Sequence, residues 1–257
     1  MDRFLVVHYH ELGLKKGNRD FFEKRLCQNL KTTLADCGCG EVRRISGRLL
    51  VTLKPDSNVP EVLRRMTLVP GVSHFSEAWK SPLSLEAIEQ NAWVLTQNRE
   101  FTSFRVDTRR GDKSFPHTSV EINGRVGAYL KERCGKRVDL RNADMTCSIE
   151  VVDRAAYIYL DRFPGLGGLP ASTSGKVVVL LSGGLDSPVA AWKMMKRGCT
   201  AISFISIVSR IRTKNLRRRR SSWRCCYRST SFAQGSIWCH LRKFSGTSWW
   251  KLQLKRA

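Results

Sequence analysis

No aspartate or glutamate follows Asp186 in this chain of 257 residues. Residues 188–257 carry 17 Lys and Arg and no acid, whereas residues 1–187 carry 28 against 22 Asp and Glu, a net of +6. The formal charge of +23 is therefore mostly a property of the last quarter of the chain. A mild basic surplus on a folded body fits a polyanionic partner. An acid-free stretch of such length needs another explanation, given below. Other absences narrow the classes further. The nine cysteines include Cys37 and Cys39 two apart and Cys225–Cys226 adjacent, but no CxxC pair, so no zinc site is built from them. No apolar run approaches the 18 residues of a membrane span, and Met1-Asp2-Arg3-Phe4 lacks the design of a secretion signal. No internal repeat is present. Free thiols in a reducing cytoplasm, with no membrane association, are the expectation.

Periodicity organises what is there. Residues 4–9 form a short apolar run that predicts a strand. A turn from Gly13 to Gly17 follows, and Asn18 stands as N-cap of a helix whose apolar positions Phe22, Leu26, Leu30 and Leu34 recur every four residues. Residues 41–45 and 48–53 flank Ser46-Gly47 as a hairpin. A helix at 60–66 and a strand at 72–79 complete the order β-α-β-β-α-β, a ferredoxin-like split unit. A second module follows, with a helix at 84–97, a strand at 101–107, a basic loop Thr108–Ser114, a helix at 117–133, and strands at 145–152 and 155–161. The Gly-, Ser- and Thr-rich stretch from Gly165 to Gly175 predicts a linker.

Beyond it stands Val177-Val-Val-Leu-Leu181, an apolar run of the kind buried in parallel sheets, then Ser182-Gly183-Gly184-Leu185-Asp186-Ser187, then Pro188 and a helix over Val189–Arg197. Strand, glycine turn and helix start present backbone N–H groups and a helix N-terminus to phosphate. Gly183 and Gly184 let the backbone approach an anion, and the Ser182 and Ser187 hydroxyls can donate to its oxygens. Asp186 would be repelled by bare phosphate, so its natural role is to hold a Mg²⁺ that bridges to pyrophosphate. The turn could instead bind nothing, with Asp186 or Ser187 only capping the helix. The complete S-G-G-x-D-S string between an apolar strand and a helix favours the phosphate reading. Gly175-Lys176 precedes the strand and is no Walker A loop, and Gly165-x-Gly167-x-x-Pro170 lacks the last glycine of a dinucleotide loop.

These residues resemble a known family. SGGLDS resembles the PP-loop of N-type ATP pyrophosphatases, and GLGGLP with SGKVVVLLSGGLDSPVAAWKMMKRGC is similar to the bacterial tRNA uridine 4-sulfurtransferases, also called thiamine biosynthesis sulfurtransferases. Gly13-Leu-Lys-Lys-Gly-Asn-Arg19 with Phe22 is similar to that family's ferredoxin-like domain. Phe104-Arg105-Val106, Arg109-Arg110, Lys113-Ser114-Phe115, Ser119-x-Glu121 and Val138-Asp139-Leu140 are similar to its THUMP domain. The likeness runs from about residue 4 to 203. It implies an α/β and α+β multidomain chain: a ferredoxin-like domain at 1–80, a THUMP RNA-binding domain at 81–165, a linker at 166–175, and the first part of a PP-loop parallel-sheet domain at 176–204. By resemblance, ATP adenylates O4 of a uridine and a persulfide sulfur delivered by a cysteine desulfurase displaces AMP, giving 4-thiouridine, with a link to sulfur transfer for the thiamine thiazole. Leu180, Leu181, Ser182, Gly183, Gly184, Asp186 and Ser187 match the ATP-binding strand and loop. Lys15, Arg19, Arg109, Arg110 and Lys113 would face tRNA phosphates, although each is also compatible with an ordinary solvated surface. A homodimer is compatible with the family.

The likeness stops near Phe204. The family continues with His-Phe-His-Ser, whereas residues 205–208 read Ile-Ser-Ile-Val. The stretch 205–257 has Arg217–Arg220, four of the seven tryptophans, three of the nine cysteines and no apolar periodicity. Phe204-Ile-Ser-Ile-Val208 can be encoded TTC-ATT-TCC-ATA-GTT, and the frame starting two bases later reads CAT-TTC-CAT-AGT, which is His-Phe-His-Ser. An out-of-frame stretch forming no cooperative structure is the expectation, and with it an inactive chain. None of Cys199, Cys225, Cys226 or Cys239 is assigned the sulfur-carrying role. The alternatives are a non-catalytic tRNA-binding polypeptide and a PP-loop ligase acting on a small molecule. RNA-facing modules argue against the second.

Overall fold

A computed structural model describes residues 2–11, 17–181, 184–206, 223–224, 237–243 and 246–252, with side chains through residue 204. Strand β1 (Arg3–His8) buries both faces, with Leu5 and Val7 on one side and Phe4 and Val6 on the other. Helix α1 (Arg19–Thr33) sets Phe22, Leu26 and Leu30 into the core, at the spacing seen in the sequence. Asn18 occupies its N-cap position but makes no side-chain cap, because its φ of −108° and ψ of 5° leave the extended geometry from which a cap side chain reaches the N–H groups. Strands β2 (Val42–Ile45) and β3 (Arg48–Leu53) form the expected hairpin around Gly47, whose φ is +75°. Helix α2 (Val59–Met66) is capped by the Asn58 side chain, which accepts from Glu61 N at 3.2 Å. Strand β4 (His74–Ser81) closes an antiparallel unit in the order β2-β3-β1-β4, the ferredoxin-like arrangement.

The second unit comprises α3 (Leu85–Thr96), β5 (Ser103–Arg110), α4 (Ser119–Cys134), β6 (Arg137–Val138), β7 (Met145–Val152), β8 (Ala155–Tyr159) and β9 (Phe163–Pro164). Helix α4 is bounded by a reciprocal capping box, Thr118 with Glu121, and by Gly135 at φ +64°. The loop expected from Thr108 begins later, at Gly111. Strand β5 continues to Arg110 because it pairs in parallel with β7 as far as Arg110↔Val151. Arg109 and Arg110 are therefore strand residues.

The two units share one sheet. Strand β4 pairs with β1 on one edge and β8 on the other, giving the order β2-β3-β1-β4-β8-β7-β5-β6, with β9 also on β4. Helices α1 and α2 pack on one half and α3 and α4 on the other, over two separate cores. A third core, of Phe4, Val6, Leu50, Ala78, Val152, Ala155, Tyr157 and Tyr159, draws residues from both halves on the opposite face. The sheet curls enough for β3 and β7, with three strands between them, to touch through an Arg48–Glu150 ion pair.

The stretch read as a linker is pinned at both ends. Leu169 is 4% exposed in the ferredoxin-like core, Gly71 N donates to Gly167 O at 2.8 Å, and Asn29 Nδ2 donates to Ala171 O at 3.3 Å. On the other side Leu169 N donates to Lys196 O at 2.9 Å, and Thr173 N donates to Gly198 O at 2.9 Å. A Cβ at Gly168, where φ is +76°, would lie 2.1 Å from Lys196 O, so only glycine fits there.

Beyond it, β10 (Lys176–Leu181) and β11 (Thr200–Ser206) pair in parallel across α5 (Asp186–Lys196), and β12 (Trp223–Arg224) joins the far edge of β11. Helix α5 starts at Asp186, three residues before the expected Val189. A separate hairpin of β13 (Ile237–Lys243) and β14 (Gly246–Leu252) joins neither sheet. The rest of the stretch expected to be structureless lies outside the described residues.

Candidate nucleotide loop and nucleic-acid interface

The nucleotide loop is built on β10 and α5. Leu180 and Leu181 end the strand, Gly184 and Leu185 lead into the helix, and Asp186 and Ser187 are its first two residues. Ser182 and Gly183 lie outside the described residues. Leu185, at the N-cap, makes no side-chain cap hydrogen bond, so its side chain satisfies none of the first N–H groups of α5. Asp186 is exposed in the first turn, where its charge also complements the helix dipole. A single exposed carboxylate beside the open N–H groups of a helix start has the chemistry of a Mg²⁺ ligand, since Mg²⁺ typically takes one or two carboxylates together with phosphate oxygens. Among the described residues no group of three or more His, Cys, Asp or Glu could hold a metal by itself.

The basic residues singled out in the sequence prove unlike one another. Arg109 is 53% exposed at the end of β5, with Asp107 at 3.8 Å as its ionic neighbour. Lys113 is exposed in the following turn, which Asp112 holds by accepting from Ser114 N and Oγ. Arg110 points inward: its guanidinium donates to Phe115 O at 2.6 Å and Lys113 O at 3.2 Å, clamping that turn. Arg19 is engaged as well. Its Nε donates to Glu23 at 2.6 Å and Nη2 to the Tyr9 hydroxyl at 3.1 Å, and these bonds push its own pKa up. Tyr9 is pushed up to about 12 by burial and by its hydrogen bond to Glu23. Lys15 lies outside the described residues. Among the described members of that set, Arg109 and Lys113 are the two whose charged ends face solvent.

The sequence reading passed over the seam between the two halves. Glu150, 1% exposed, receives Arg48 from β3, the Tyr159 hydroxyl at 2.7 Å from β8, and His8 Nε2 at 2.9 Å from β1. Burial alone would raise the Glu150 pKa, but His8, Arg48 and Tyr159 outweigh it and hold it at about 2. His8 stacks on His74 with ring centroids 4.3 Å apart, and Arg162 Nη2 and the Ser73 hydroxyl lie 3.2 and 3.3 Å from His74 Nδ1. Burial, with His8, Arg162 and His10 nearby, lowers the His74 pKa to about 3.

Comparison with known proteins agrees with this geometry. Three family models match in chain order: the ThiI ferredoxin-like domain over residues 4–76, the THUMP domain over 84–161, and the thiamine biosynthesis protein (ThiI) model over 172–225. The chain is 42% identical over 199 residues to a probable tRNA sulfurtransferase of Thermoanaerobacter sp., covering 77% of this chain and 52% of that protein. The chain belongs to the ThiI family of tRNA sulfurtransferases. It spans about half the length of the curated relatives it matches. The corresponding protein of Thermus thermophilus is 38% identical, with 79% and 50% covered. Among solved structures, a 4-thiouridine synthetase–RNA complex with bound ATP superposes with a TM-score of 0.70 at 29% identity, covering 82% of this chain and 54% of that one. PH1313 from Pyrococcus horikoshii superposes at 0.72 with 33% identity, covering 80% and 68%. The ThiI model's match to residue 225 runs past Phe204, where the motif-level likeness ends. No helix among the described residues is long and apolar enough to cross a membrane.

Proposed function

We propose that this chain is the RNA-binding and nucleotide-loop part of an enzyme that converts a tRNA uridine to 4-thiouridine. The observation that carries the reading is the S-G-G-L-D-S string between β10 and α5, in a chain that also has a ferredoxin-like and a THUMP unit. The N–H groups opening α5 and the Gly184 backbone hold phosphate, and Asp186 holds Mg²⁺ against it. ATP supplies the adenylyl group that turns the uridine O4 into a leaving group. The outer sulfur of a carrier persulfide, loaded by a cysteine desulfurase, displaces AMP to leave a carrier–S–S–C4 link. A second thiol cleaves that link, forming a disulfide with the carrier and releasing 4-thiouridine. Arg109 and Lys113 hold tRNA phosphates and so fix register rather than sequence. A thiazole-sulfur role for thiamine, a homodimeric assembly and a cytoplasmic location belong to the same reading. The thiols of Cys27, Cys37, Cys39, Cys134, Cys147 and Cys199 are free, as a reducing compartment requires.

Residues from about 205 onward are proposed to be read out of frame, so that the 257-residue chain binds tRNA and catalyses nothing. The acid-free composition after Asp186 supports this. The nucleotide sequence of codons 203–209 tests it: an uninterrupted frame that cannot yield His-Phe-His-Ser two bases on removes the proposal.

Binding of tRNA to the full chain should weaken at least about tenfold between about 50 and 200 mM salt, because neutralised phosphates release counterions. Arg109→Glu should weaken it several-fold and flatten the salt slope by about one. Arg110→Glu is a poor probe, since it releases the Lys113 and Phe115 carbonyls as well. Salt-insensitive binding, or none at low salt, would defeat the RNA-binding assignment.

A further inference from the structure

Neither the RNA surface nor the nucleotide loop uses the string Gly165-Leu-Gly-Gly-Leu-Pro170, yet its backbone is bonded on both sides. Gly165 N donates to Ser73 O at 2.9 Å and Gly167 N to Val72 O at 2.6 Å, continuing the pairing of β9 with β4. Leu169 then enters the core that α1 and α2 cover. On the other side the string meets the end of α5. A helix end leaves its last carbonyls unpaired, and here Lys196 O accepts from Leu169 N while Gly198 O accepts from Thr173 N and Ser174 N at 2.9 and 3.0 Å. The approach is too close for a side chain at two points. A Cβ at Gly168 would meet Lys196 O, and one at Gly198, where φ is +88°, would lie 2.3 Å from Thr173 Oγ1. Arg197 Nη1 adds an ion pair to Glu11 Oε2 at 2.6 Å, from α5 to the chain after β1.

We infer that residues 165–175 are a strut and not a flexible tether, with Gly168 and Leu169 as positioning residues for the nucleotide loop. The strut seats the C-terminal end of α5 on the ferredoxin-like unit, and the loop stands at the opposite end of the same helix, at Asp186. That unit shares one sheet with the strand carrying Arg109, so the seat also fixes the loop relative to the RNA surface. Eleven residues of helix span about 16 Å, and a tilt of about 10° at the seated end would shift Asp186 by about 3 Å. Misplacement on the order of 1 Å can cost about a hundredfold in rate, which is what a rigid seat avoids. The consequence for RNA rests on the proposed function, whereas the rigidity itself does not.

The test uses the full chain with spin labels attached through genetically encoded azide residues at Val94 on α3 and Val189 on α5, both exposed. One narrow distance distribution is expected. Gly168→Val should widen it at least about twofold, and so should Leu169→Ala, which withdraws the anchor without adding an atom. Gly124→Ala, whose Cβ meets open space on α4, should leave it unchanged. In a second arm a photo-crosslinker replaces Leu185, exposed beside the loop, and tRNA is bound. The parent should crosslink to one short stretch of the tRNA. Gly168→Val should cut that crosslink at least about fivefold while tRNA affinity stays within about twofold, a split that general loss of structure would not give. A broad distribution in the parent, a narrow one in both strut variants, or a crosslink indifferent to Gly168→Val would each overturn the inference. Absence of tRNA binding by the parent would defeat the proposed function instead, and the distances alone would then decide whether the strut is rigid.

Discussion

Glu150→Ala is expected to lower stability by about 3–5 kcal/mol, a fall in Tm on the order of 10 °C, because it leaves Arg48 facing a buried site with no counter-charge. Glu150 is 1% exposed and bonded from three strands, so it joins the ferredoxin-like half to the THUMP half. Replacing Arg48 and Glu150 together by methionine should restore most of the loss, since the desolvation cost of both ions disappears with them. Thermal melts of the two single variants and the double variant measure the coupling. A Glu150→Ala loss below about 1 kcal/mol would mean that the halves do not meet through this pair.

The same seam sets the response to acid. His74, with its pKa lowered to about 3, stays neutral in the fold while the unfolded chain takes up a proton below its ordinary value of 6.5. Stability is therefore lost as pH falls below 6.5, by about 2 kcal/mol between pH 6.5 and 5. Glu150, held at about 2 against an ordinary 4.5, contributes stability that is present above 4.5 and lost as pH falls towards 2. Between pH 6.5 and 4.5 the loss belongs to His74, and between 4.5 and about 3 His74 and Glu150 both contribute. His74→Phe should flatten urea-denaturation free energies between pH 6.5 and 4.5 and reduce, without abolishing, the drop below 4.5. An unchanged slope in the upper window would remove His74 from this account.

On the proposed reading, Asp186→Ala in a protein that carries the family's complete nucleotide domain is expected to reduce Mg·ATP-dependent thiolation by at least about a hundredfold, on the order of 3 kcal/mol. Affinity for tRNA should stay within about twofold. The separation follows from placement, because Asp186 opens α5 at the nucleotide loop while Arg109 and Lys113 lie at the end of β5 and in the turn after it. Loss of the N1 carboxylate costs the helix only about 0.3–1 kcal/mol, so the fold survives. Single-turnover assays with tRNA in excess, alongside filter binding, separate the two effects. Turnover near the parent rate would show that the carboxylate does not hold the metal, and a parallel loss of tRNA affinity would show that the loop is not independent of the RNA surface.

Local pattern carried the elements and the chemistry of the loop. Phe22, Leu26 and Leu30 recur at helical spacing and are buried along α1, and the hairpin of β2 and β3 turns at Gly47 where the Ser-Gly pair announced it. The string from Ser182 to Ser187 is contiguous, so its meaning needs no partner from elsewhere in the chain. The limits of β5 were not visible in the same way. Whether Thr108–Arg110 is loop or strand depends on β7, about forty residues away, offering hydrogen bonds as far as Val151.

What the sequence by itself determined is therefore the order of the longer helices and strands through residue 204, because it follows from periods a few residues long, whereas the short strands β6 and β9 carry no such period. Tertiary structure alone decided which charges meet. Arg48 and Glu150 are 102 positions apart and look like ordinary strand polar residues until the curl of the sheet brings β3 to β7. It likewise decided that Arg110 clamps two carbonyls while Arg109, its neighbour, faces solvent, since successive strand residues point to opposite faces. The apolar run at 177–181 reads as a buried parallel strand taken by itself, and as partly exposed if the stretch after residue 204 supplies no neighbour. Which holds depends on what packs against each face, and among the described residues α5 covers one.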